Sequence, residues 1–252
     1  MLAAAAGGAV NAIAGGGTLL TFPALIGLGV PGIVANATST VALVPGALSS
    51  LFGYRSAVHG AQSWALRFAV PSLLGGAAGA GLLLLTPASR FDALVPWLVI
   101  GATLLFVLQP SVMRVLRQRG VSSPDAGDPT TRPIPVVAFL FQFAIAVYGG
   151  YFGAGLGILM LAALGILGFT NIHRMNGLKN FGGTCANVVA AATFAASDLV
   201  NWPIAAAMMV GAIVGGYSGS RLAQRVSQVW VRRLIVAVGL CSGVWLLAGG
   251  LS

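Results

Sequence analysis

The sequence predicts an all-α polytopic membrane protein built as two inverted repeats, each a glycine-broken hairpin followed by three transmembrane helices. Three observations predict it. The 252 residues are 58% hydrophobic and only 7% charged, whereas a soluble domain carries about a quarter charged residues. About eight apolar segments approach the roughly 20 residues that cross about 30 Å of hydrocarbon as a helix, and they lack the two-residue alternation of barrel strands. A fixed internal offset of 140 residues relates the two halves.

The segments fall at 2–30, 34–53, 67–86, 92–109, 135–170, 176–196, 203–220 and 229–250. The start, Met1 to Ala4, has no basic region ahead of its apolar run and reads as retained. Between the fourth and fifth segments, Pro110 to Pro135 holds Arg114, Arg117, Arg119 and Arg132 with Pro124, Asp125, Gly127, Asp128 and Pro129, the composition of a solvated linker. The chain therefore divides into a first repeat at 1–109, a linker at 110–134 and a second repeat at 135–252.

Shifting by 140 places Gly15 on Gly155, Gly17 on Gly157, Leu19 on Leu159 and Asn36 on Asn176. It also places Gly75, Gly76 and Gly79 on Gly215, Gly216 and Gly219. Ordered matches at one offset indicate an internal duplication.

The arginines decide how the halves are oriented. If each broken segment crosses once, they divide six against six. If each enters and returns, as a re-entrant hairpin or as two short helices, eleven collect on one side and only Arg90 lies opposite. The second arrangement obeys the positive-inside rule, inverts the second half and puts the linker in the cytoplasm. The net charge of +9 is thus a topology signal and not a nucleic-acid patch.

Glycine clusters at Gly15–Gly17 and Gly153–Gly157 start short helices inside the membrane, where free N–H groups and the positive dipole end suit an anion. The competing reading is close helix packing. Donors are expected near Thr18 and Ile158. Polar groups open the following helices: Asn36, Thr38, Ser39 and Thr40, then Asn176, Lys179 and Asn180. Asn36 and Asn176 serve equally well as helix caps or ligands. They start near opposite faces, where they can act as gates. Lys179 sits about one turn into an apolar helix, and an intramembrane ammonium marks a pathway unless it snorkels beside Arg174. Arg55 either steers anions or anchors orientation.

Only four carboxylates occur, Asp92, Asp125, Asp128 and Asp198, all in or beside loops, which tilts the substrate toward an anion. His59 and His173 lie at segment edges. Cys185 and Cys241 have no metal spacing, and no metal or cofactor is called for. Gly216-Tyr217-Ser218-Gly219 spells the serine motif of an intramembrane protease, but no histidine follows it and the first repeat has Ala78 in place of Ser218. Packing explains it better. Gly153–Gly157 has no preceding strand, so a dinucleotide site is not supported.

Asn11 to Leu19, Pro23-Ala24-Leu25 and Ala35 to Ser39 resemble the first signature of the TauE/SafE sulfite exporter family, also called toluene sulfonate uptake permeases. Gly153–Gly157 and Asn176–Asn180 resemble the second. The resemblance implies a bacterial inner-membrane permease for small anions, commonly sulfite, sulfonates or sulfoacetate. Family members usually have several more residues before the first break.

The expectation is a secondary transporter working by alternating access, with no catalytic residue. Substrate would be held by Gly16, Gly17, Thr18, Asn36, Thr38, Ser39, Thr40, Gly155, Gly157, Asn176, Lys179 and Asn180. A coupling ion, H+ or Na+, and a homo-oligomer are compatible partners, alongside the bilayer and in the absence of nucleic acid. The alternatives are an anion channel, a carrier of small carboxylates, a non-transporting membrane subunit and, remotely, an intramembrane serine protease.

Overall fold

The computed structural model describes residues 1–54, 62–120, 136–169, 171–222 and 228–249. These form ten helices and, among the described residues, no strand. They are α1 (Leu2–Ala14), α2 (Thr18–Ile26), α3 (Gly32–Tyr54), α4 (Gln62–Leu85), α5 (Ala88–Gly120), α6 (Val136–Tyr151), α7 (Leu156–Ile166), α8 (Ile172–Ala195), α9 (Trp202–Leu222) and α10 (Gln228–Leu247).

Each expected broken segment is two short helices. In the first, Gly15 takes a left-handed φ of 77° and closes α1, and Gly17 opens α2. In the second, Gly153 and Gly155 take φ of 80° and 78° ahead of α7. A Cβ is strained in that region, so glycine fits these turns. With 13 and 9 residues, α1 and α2 reach about 20 and 14 Å, short of a span.

Five helices, α3, α4, α5, α9 and α10, are long and apolar enough to cross a membrane. The 24-residue α8 has the length, but Arg174, Asn176, Lys179 and Asn180 lower its hydropathy. α5 continues as helix through Pro110 to Gly120, into the stretch read as linker, and 121–135 lie outside the described residues. Arg55 and His59 also lie outside them.

Helix starts keep the 140 offset: 32, 62 and 88 for α3, α4 and α5 against 172, 202 and 228 for α8, α9 and α10. The packing repeats as well. Gly75 meets Phe143 to Val147 and Gly79 meets Val147 to Tyr151, so α4 and α6 run parallel. Gly211, Gly215 and Gly219 meet Met1, Ala5 and Ala9 in turn, so α1 and α9 do too. Gly239 lies at Thr103 and Gly243 at Ile100, which makes α5 and α10 antiparallel.

A Cβ on Gly215 or Gly79 would collide with the Ala5 or Val147 carbonyl, and one on Gly216 with that of Gly46. Small residues bring these backbones together, as in membrane helix pairs. The serine motif belongs to this packing: Ser218 Oγ donates to Val214 O of its own helix at 2.6 Å.

Candidate functional site

The two breaks meet at the centre. Gly157 N–H donates to Gly15 O at 3.4 Å, and the Phe22 and Phe152 rings stack edge to face at 5.5 Å. Beside this contact α3 and α8 each present one face at helical spacing: Thr40, Leu43, Ala47 and Ser50 on one, Lys179, Asn180, Gly183, Thr184 and Asn187 on the other. With Asn11, Gly15, Thr18, Gly153, Leu156, Gly157 and Met160 they enclose a cavity of about 30 Å³. That admits about two waters and is too tight for an organosulfonate.

Lys179 is 2% exposed. Its Nζ donates to Ile13 O at 3.3 Å, and Asn180 Nδ2 donates to Ala12 O at 3.3 Å. Both groups therefore cap the carbonyl end of α1, the negative end of its dipole. An ammonium has three donors. Among the described residues two of these find no partner and no carboxylate pairs with the charge. The side chains of Asn11, Thr18, Thr184 and Asn187 also make no hydrogen bond among the described residues. The cavity thus offers one cation and several free polar groups, with no fixed negative charge among its lining residues.

Of the residues expected from sequence, Thr18, Thr40, Gly157, Lys179 and Asn180 line this cavity. Gly16 lies against the Phe106 ring, Gly17 against Gly7 and Asn11, and Gly155 near Ala102 and Leu105. Ser39 Oγ pairs with Thr21 Oγ1 at 2.5 Å, and Thr38 Oγ1 accepts the Asn201 N–H at 3.0 Å where α9 begins. Asn36 Nδ2 donates to Tyr151 O at 2.8 Å, capping the end of α6. Asn176 is buried, and its Oδ1, like that of Asn36, has no partner among the described residues.

The tip donors differ from expectation. The Gly16, Gly17 and Thr18 N–H groups find no partner among the described residues. At the second break Leu156, Gly157 and Ile158 are engaged with Gly153 O, Gly15 O and Gly155 O, leaving Ala154 and Gly155. The donor expected near Ile158 is therefore used in closing the turn.

Sequence reading missed Asn11, Ser50, Thr184 and Asn187. The signal for three of the cavity residues was their spacing, Asn180, Thr184 and Asn187 recurring on one helix face.

The sulfite exporter TauE/SafE family matches residues 1–246 of the chain. The chain belongs to that family. Three similar proteins are named as probable membrane transporter proteins. The Sinorhizobium protein ORF9 is 30% identical over 98% of this chain and 90% of its own length. A Haemophilus influenzae protein is 29% identical over 90% and 85%, and Escherichia coli K12 YfcA is 28% identical over 95% and 85%. No solved structure matches. With its membership in the TauE/SafE family and its long apolar helices, the chain is a membrane transporter.

Proposed function

We propose that this transporter carries small sulfur oxyanions or organosulfonates, by alternating access between two inverted halves of a bacterial inner-membrane protein. The observation that carries the anion reading is Lys179, a buried ammonium with two free donors beside a cavity that holds no carboxylate. A fixed intramembrane charge is costly unless a counter-charge joins it. The unengaged N–H groups of Gly16, Gly17 and Thr18 add the positive end of α2. Asn180, Thr18, Thr184 and Asn187 supply neutral hydrogen bonds to the remaining oxygens.

Inversion of the halves is supported by the antiparallel α5 and α10, by the exchange of α4·α6 for α9·α1, and by the eleven-to-one division of arginines. The tight cavity supports a mechanism in which the halves move, because an organosulfonate enters only when α3 and α8 separate from the breaks. The basic 110–134 stretch is then cytoplasmic.

Uptake of sulfite and of a short organosulfonate into proteoliposomes tests this. The expected result is saturable flux that falls at least about 100-fold in Lys179→Ala, the scale of removing a buried charge-assisted contact. Flux that does not saturate indicates a channel, and undiminished flux in the variant removes Lys179 from the site.

A further inference from the structure

The two helix ends at the breaks are finished differently. At the end of α1, Val10 O and Asn11 O accept the Gly15 N–H, Ala12 O accepts Asn180, and Ile13 O accepts the Lys179 ammonium. At the end of α6, Tyr148 O accepts the Phe152 and Gly153 N–H groups and Tyr151 O accepts Asn36. The Gly149, Gly150 and Phe152 carbonyls receive nothing among the described residues. Asn36 is 0% exposed, and its Oδ1 also has no partner.

Several buried acceptors therefore gather at the negative end of a helix dipole with too few donors. A buried polar group left unpaired is costly, and cations are favoured at helix C-termini. The register equivalent of Lys179 in this half is Ser39, which brings a hydroxyl where the other half brings an ammonium. Ser39 is held by Thr21 of α2, whose neighbour Phe22 touches Phe152 just past the end of α6. Asn176 Oδ1 is likewise unpaired among the described residues, while Lys179, one turn on, bonds the end of α1.

We infer that the end of α6 binds a monovalent cation of sodium size, the counterpart in the first half of the Lys179 ammonium in the second. Asn36 Oδ1 and the free carbonyls of the last turn of α6 are its oxygen ligands. Such a cation near a broken helix is placed to couple to movement of the halves. The inference rests on the two-half correspondence and not on the identity of the anion.

Thermal unfolding of the detergent-solubilised full chain in NaCl, against choline chloride at equal ionic strength and without organic anion, tests it. The expected result is a saturable rise of about 3–5 °C with sodium, absent with choline. The rise should vanish in Asn36→Ala. In Ser39→Lys, which supplies a tethered ammonium, the protein should melt high in choline and gain nothing from sodium. No sodium response in the wild type overturns the inference, since an ordered water would then satisfy Asn36. A response that persists in Asn36→Ala overturns it too. If Asn36→Ala does not fold, Ser39→Lys decides, and a retained sodium response there overturns the inference. No substrate anion is present, so failure here leaves the Lys179 flux result standing, and the reverse holds.

Discussion

The first and second breaks share a sequence pattern and a position, yet they leave opposite groups open. Around Gly15 the carbonyls of α1 are capped by Lys179 and Asn180 while the N–H groups of Gly16 to Thr18 stay free. Around Gly153 the first N–H groups of α7 are engaged while acceptors at the end of α6 stay free. On the readings proposed above, the first break offers donors to an anion and the end of α6 offers acceptors to a cation. At the 140-residue offset Ser39 and Thr40 stand against Lys179 and Asn180, the two residues that cap the end of α1.

The strongest way to break this comparison is Gly15→Ala. The new Cβ would sit against the Gly157 backbone in a left-handed conformation. The conformational strain alone is about 1–2 kcal/mol, and the clash cannot relax without parting the breaks. Loss of monodisperse protein in size-exclusion chromatography is expected. Gly153→Ala carries the same strain but meets Gly149 O at 3.1 Å and Thr18 Oγ1 at 3.7 Å, the second an ordinary contact. That variant should fold and melt lower by about 1–2 kcal/mol in a denaturation series. Equal behaviour of the two would contradict the close contact at Gly15.

A finer distinction comes from the two capping amides. Asn180→Ala and Asn36→Ala each release one buried carbonyl, at about 1–3 kcal/mol. Anion binding measured by isothermal calorimetry should weaken in Asn180→Ala and stay unchanged in Asn36→Ala, because only Asn180 lines the cavity. The smallest effect belongs to Thr18→Val, which removes an unengaged hydroxyl. Its melting temperature should hold while the KM for the anion rises about threefold to tenfold, the value of one hydrogen bond.

The breaks, the offset and the polar helix starts were legible because glycine, asparagine and lysine are conspicuous within apolar helices. The division of labour among those residues was not. Thr38 and Asn36 serve partners 163 and 115 residues away, Asn201 and Tyr151, which no local pattern announces. In α8 the spacing of Asn180, Thr184 and Asn187 marks the cavity face, whereas in α3 small residues lie around Thr40, Ala47 and Ser50 and hide it. For that reason Ser50 passed as an ordinary helix residue. For each broken segment the arginine count and the short far side pointed to an in-and-out path but left a re-entrant hairpin and two short helices open, and the structure has two short helices.

The hydrogen bond from Gly157 to Gly15 is, among the described residues, the only backbone bond joining the two breaks. Under the proposed alternating access this backbone contact is the pivot, flanked by the side-chain bonds of Lys179, Asn180 and Asn36 to the ends of α1 and α6. Spin labels placed close to this pivot should report nearly constant separation through the transport cycle, and labels at the outer ends of α2 and α7 should report the largest swings.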